Sequence, residues 1–91
     1  LLIKMDHTIE IKQVLSDVLG LGERINSMTI NTFLLGNIPE LDSVAVVTVI
    51  LALEKEFSIS INDDEISAQT FQTLGTLANF VKKKVTEKDK Q

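Results

Sequence analysis

Apolar residues at Ile11, Val14, Leu15, Val18 and Leu19 recur at i, i+3, i+4, i+7 and i+8. That spacing predicts a helix with one buried face. Gly20 and Gly22 follow and supply its stop. From Leu21 to Leu41 no period is sustained, and the stretch holds Gly, Asn, Ser and the chain's only Pro. It is long for a loop in a small domain; such stretches are either functional or contain a short element of their own. Phe33, Leu34, Leu35 and Ile38 are its expected anchors on the core.

Asp42 and Ser43 then precede an apolar run that ends in Leu53-Glu54-Lys55-Glu56-Phe57. Six of the seven residues from 44 to 50 are β-branched, so propensity alone favours a strand. Three features favour a helix instead. No polar residue alternates with the apolar ones, the Leu-Glu-Lys-Glu segment is helix-forming, and Asp42 and Ser43 are good N-caps. Phe57-Ser58-Ile59-Ser60-Ile61 alternates with period two and reads as a short extended connection. Asn62-Asp63-Asp64-Glu65 reads as the acidic start of a short helix near residues 64–70. Leu74, Leu77, Ala78, Val81 and Val85 mark a last helix, with Thr73 as its cap. The expected fold is all-α: a small four-helix bundle of three longer helices and one short one, with a long loop between the first and second.

On a helical wheel of about 100° per residue with Ser43 at zero, Val46, Val49, Ile50, Leu53 and Phe57 share a face between roughly 240° and 340°. Val44, Val47 and Leu51 fall at about 40° to 100°, among Thr48, Glu54 and Lys55. A domain this small can hardly enclose a helix on all sides. Two arrangements are therefore open. Either the second set is an exposed apolar stripe suited to a partner, or the preceding loop folds over it.

The length of 91 residues fits one domain. We expect an N-terminal extension at 1–8, the domain at 9–84 and a charged tail at 85–91. Met5 is a candidate natural start, which would make Leu1 to Lys4 upstream sequence. The absence of Cys excludes disulfides and zinc-thiolate sites. The net charge is −4, but residues 82–91 hold five Lys against Glu87 and Asp89, which leaves −7 for the body. Such a body does not favour nucleic acid or anionic lipid. Lys82-Lys83-Lys84 reads as a helix end complementing its dipole, followed by a solvated tail. Neither Leu1-Leu2-Ile3 nor the run from Val44 to Leu53 has the length of a signal core or a membrane span, and a cytoplasmic protein is expected.

Catalytic constellations fail early. His7 is the only His and precedes the first helix, where it reads as an exposed polar residue. A nucleophile–base–orienter set needs rigid placement that this position does not offer. There is no glycine-rich phosphate loop and no paired-His metal spacing. Asn62 to Glu65 lacks the spacing, glycine and terminal Glu of a calcium loop. The sequence is not that of an enzyme. Ser43 reads first as an N-cap, yet its hydroxyl would lie at an exposed helix start, where amides favour an anion such as a phosphate ester.

The segment Gly36-Asn37-Ile38-Pro39-Glu40-Leu41-Asp42-Ser43-Val44, followed by Leu53-Glu54-Lys55-Glu56-Phe57, resembles the bacterial acyl carrier proteins. The resemblance continues through Ile59, Ile61, Asp63-Asp64-Glu65-Ile66 and Phe71-Gln72-Thr73-Leu74-Gly75-Thr76-Leu77 to Phe80-Val81, and covers roughly residues 9–84. It implies a four-helix bundle with 4′-phosphopantetheine esterified to Ser43, next to Asp42. A separate phosphopantetheinyl transferase, using coenzyme A and Mg²⁺, would install the arm. The arm's thiol would then hold acyl groups as thioesters. Other implied partners are acyl-transferring or acyl-activating enzymes, with no nucleic acid, no membrane insertion and a monomeric carrier. Partner contacts are expected at Glu40, Val44, Val47, Thr48, Leu51 and Glu54. Val46, Ile50, Leu53, Phe57 and Leu74 would line a shelter for the acyl chain.

The chain departs from that pattern along the second helix. Where fatty-acid-synthesis carriers place acids, it has Ala45, Thr48 and Lys55, keeping Asp42 and Glu54. Charge complementarity governs steering and partner choice more than raw affinity. A specialised carrier with dedicated partners is therefore expected rather than one serving general fatty-acid synthesis. Rivals are an aminoacyl or polyketide carrier, and a non-carrier helical adaptor that binds through the stripe with Ser43 merely a cap.

Overall fold

The computed structural model of the chain describes residues 7–89, the side chain of Asp89 excepted. The expectations for Met5 and Leu1 to Lys4, and most of the extension at 1–8, lie outside the described residues, as do the last two residues of the tail. The all-α expectation holds. Three α-helices, α1 (Thr8–Leu19), α2 (Ser43–Phe57) and α3 (Leu74–Asp89), are joined by two 3-10 segments, Gly22–Ser27 and Asp63–Glu65.

Helix α1 buries Ile11, Val14, Leu15 and Leu19, the face its spacing predicts. It packs on both α2 and α3. Gly20 ends it at φ 66°, a left-handed conformation that a residue without Cβ adopts cheaply, and its amide bonds to Ser16 O at 2.9 Å. His7 is not simply an exposed polar residue. It is half-buried, with its ring 5.1 Å from that of Phe57 in an edge-on contact.

Helix α2 forms despite its β-branched residues because Val49 and Leu53 are fully enclosed, and tertiary burial outweighs a weak local preference. It runs through Phe57, and Ser58 takes the left-handed cap at φ 54°. Within the expected alternating segment, Ile59 and Ile61 are the buried residues. The short helix expected near residues 64–70 is a single 3-10 turn, Asp63–Glu65, because Ile66 returns to extended backbone. Glu65 is engaged by Lys84 at 2.8 Å, and the hydrogen bond from Lys84 holds its carboxyl below the usual carboxylate range.

Helix α3 runs through Asp89, so the first residues of the charged segment from 85 are helical. Lys84 is partly buried against Glu65, and Lys88, though exposed, is engaged as well. Lys88 Nζ donates to Phe57 O at 2.9 Å, placing a cation on the carbonyl end of α2.

Among the described residues every buried side chain is apolar. Of the expected loop anchors, Leu34 and Ile38 are buried while Phe33 and Leu35 face solvent. Leu21, Met28 and Leu41 take their place. Phe33 and Leu35 turn outward because the backbone, not their side chains, holds this segment. Leu34 N–H donates to Gln72 O and Leu35 N–H to Phe71 O, while Leu74 and Gly75 N–H donate back to Thr32 O and Ile30 O at 2.9 and 2.8 Å. These last two are start-of-helix amides of α3, which would otherwise lack acceptors. Thr73 Oγ1 accepts from Thr76 N–H at 3.1 Å and completes the cap, as expected.

Gly75 permits this approach. A Cβ there would stand 2.8 Å from Ile30 O. In an exposed helix, Gly→Ala stabilises by about 1 kcal/mol. Here Gly75→Ala reverses the sign. We expect a loss of about 1–3 kcal/mol, measured as a lowered urea midpoint at unchanged slope.

Candidate functional site

The start of α2 is the feature of interest. Asp42, in extended backbone, is its N-cap, and Oδ1 accepts from Ala45 N–H at 2.8 Å. Ser43 is thus the first helical residue and not the cap. The physical reason is that one carboxylate already satisfies the amide a serine cap would take. The Ser43 side chain is exposed, and its hydroxyl makes no hydrogen bond to any described residue. The amides of Ser43 and Val44 likewise have no acceptor among the described residues. This contrasts with α3, whose corresponding donors are taken by the loop. An anionic ester on Ser43 would meet open N–H groups and the positive end of a helix dipole, so the residues present fit a phosphodiester.

The apolar stripe is settled in favour of exposure. Val44, Val47 and Leu51 are 73%, 55% and 59% accessible, and no loop covers them. Thr48 lies among them, its hydroxyl donating to Val44 O at 3.2 Å. Of the expected lining residues, Leu53 and Leu74 are enclosed in the core, while Val46, Ile50 and Phe57 pack half-buried against the same cluster.

The two acids expected to meet partners beside Asp42 are both occupied within the chain. Glu54 is half-buried, and Oε2 accepts from Ile61 N–H at 2.8 Å, pinning the segment after α2. Glu40 is paired with Arg24 of the first 3-10 segment. The hydrogen bond from the Arg24 guanidinium holds its carboxyl below the usual carboxylate range. Arg24 was not among the expected site residues. It lies in the aperiodic stretch, 16 positions from Glu40, where no sequence period signals a contact.

The sequence profile of the family described as "Phosphopantetheine attachment site" matches residues 10–81. That span contains Ser43 and most of the helical body. The chain is also similar to a solved structure, the solution NMR structure of a holo acyl carrier protein from Nitrosomonas europaea. The two are 59% identical over 88% of this chain and 96% of that one, with a TM-score of 0.83. The chain belongs to the acyl carrier proteins. Its cofactor is a covalently bound 4′-phosphopantetheine, and the family is one of carriers, not itself catalytic. As carriers do, it works with phosphopantetheinyl transferases and acyl-handling enzymes. No helix among the described residues is long and apolar enough to cross a membrane.

The carrier separates cap from hydroxyl at adjacent positions, which a pair of variants resolves. Asp42→Ala is expected to cost about 0.5–2 kcal/mol of stability through the lost cap. Ser43→Ala, which removes an unbonded exposed hydroxyl, should stay within about 0.5 kcal/mol of the parent. Urea titration of both apo proteins measures the difference.

Proposed function

We propose that Ser43 is the attachment residue, and that the carrier holds acyl intermediates as thioesters on the arm and presents them to partner enzymes in a specialised pathway. The supporting observation is the exposed, unbonded Ser43 hydroxyl on the first residue of α2, beside two unpaired amides. In the loading step a bond forms from Ser43 Oγ to phosphorus and the phosphoanhydride of coenzyme A breaks. The adenosine bisphosphate half leaves with Mg²⁺ assistance, and the hydroxyl proton passes to a base on the transferase. The thiol at the end of the arm supplies the acyl-bearing chemistry. Within the chain, Asp42 holds the helix start rigid so that the serine is offered at a fixed point. Val44, Val47, Thr48 and Leu51 form the surface a partner meets, and Val46, Ile50, Leu53, Phe57 and Leu74 shelter the cargo. The carrier acts as a cytoplasmic monomer.

Mass spectrometry after incubation with coenzyme A, Mg²⁺ and a promiscuous phosphopantetheinyl transferase tests the attachment. The parent should gain one phosphopantetheine and Ser43→Ala none; equal gain by both would overturn the assignment.

The specialised role rests on the uncharged surface of α2 between Asp42 and Glu54. It predicts that a general fatty-acid ketosynthase turns over the loaded carrier well below a carrier with an acidic second helix. Equal turnover would show service to general fatty-acid synthesis instead.

A further inference from the structure

Near Ser43 the carrier has two acids, Glu40 and Asp42, and of the two only Glu40 is paired with a cation among the described residues. Asp42 is turned onto the amide of Ala45. Glu40, three positions before Ser43, is more exposed than a core residue and would face any enzyme that reaches the serine. Its charge is instead met by Arg24, whose guanidinium is aimed from two sides: Nη2 donates to Glu40, and Nε donates to Leu21 O at 3.3 Å. Farther along, Glu54 is committed to Ile61 N–H. From Ser43 to Leu53 the helix carries no charged side chain at all.

We propose that Arg24 is a specificity-determining residue, which masks Glu40, three positions before the attachment serine, and so turns the carrier away from enzymes with a basic docking face, toward partners with an apolar one. The proposal rests on the reading of Ser43 as attachment residue.

The physics follows from the difference between a charge and an ion pair. An exposed ion pair contributes little to stability, so this one is poorly explained as a structural brace. Its effect on approach is larger. A lone carboxylate attracts a basic surface over roughly 8 Å at physiological ionic strength. Paired with a guanidinium it presents a dipole, whose attraction falls off faster with distance. Steering by single charges acts mainly on the association rate and is lost as salt rises. Besides Asp42, the stripe of Val44, Val47 and Leu51 is exposed beside the serine, and an apolar contact of that kind is not weakened by moderate salt.

The test measures kcat/KM for transfer from coenzyme A by a phosphopantetheinyl transferase with a basic carrier-docking face, across a series of sodium chloride concentrations. It uses the parent, Arg24→Gln, Glu40→Gln and the double variant. Arg24→Gln should raise kcat/KM about 3- to 10-fold at low salt, with the gain vanishing at high salt. Glu40→Gln, which leaves the Arg24 cation unpaired, should lower kcat/KM at low salt, with the loss vanishing at high salt. The double variant should return to the parent, which separates an unmasked charge from a loosened loop, because a loosened loop would persist in it. An unchanged Arg24→Gln, or a gain retained in the double variant, overturns the masking role. Failure of the Ser43 reading is seen separately, as mass gain by Ser43→Ala or no gain by the parent at completion.

Discussion

The backbone tether between residues 30–35 and the segment from Phe71 to Gly75 is the constraint on which the rest of the carrier depends. A long segment without regular structure must place its amides and carbonyls somewhere, since buried unpaired groups are costly. Here it places them against the start of α3, and each side solves the other's problem. The loop gains acceptors for Leu34 and Leu35, and α3 gains acceptors for its first two amides. Gly75 is what lets the two backbones come this close. With the loop held, Leu34, Ile38 and Leu41 drop into the core and the chain reaches Asp42 at a defined point.

The two helix starts then divide their roles. The start of α3 is closed by the loop and by the Thr73–Thr76 cap. The start of α2 is capped by one carboxylate and otherwise open, with Ser43 exposed beside unpaired donors. A carrier needs that combination: a rigid scaffold, and one place where a polar group can be attached without disturbing it. The charges near this place are handled in the same spirit. Asp42 and Glu54 are hydrogen-bonded to backbone amides and Glu40 is paired with Arg24, while α2 carries no charged side chain from Ser43 to Leu53.

The basic end of α3 repeats the lesson. Read as a run, Lys82 to Lys84 and Lys88 look like a solvated terminus. In the fold, Lys84 reaches Glu65 and Lys88 reaches the last carbonyl of α2, so two of these cations tie α3 to the segments it follows. Lys82 and Lys83 stay exposed.

Much of this was legible in the sequence because it is local. The faces of α1 and α3 follow from i, i+3 and i+4 spacing, and Thr73 caps α3 from its expected position, whereas the choice of Asp42 over Ser43 as the cap of α2 came from the structure. The inner face and the stripe of α2 follow from the wheel, although exposure of the stripe needed the loop's path. The helical state of α2 was argued against its β-branched residues, and burial of Val49 and Leu53 supplies the energy that propensity lacked. The sequence by itself thus determined the three α-helices and the family, and singled out Ser43 as the candidate residue. Only the tertiary structure decided which acids are free. Arg24 and Glu40, Glu54 and Ile61, and Lys88 and Phe57 meet across turns, and no period along a chain records where a turn will bring two side chains together.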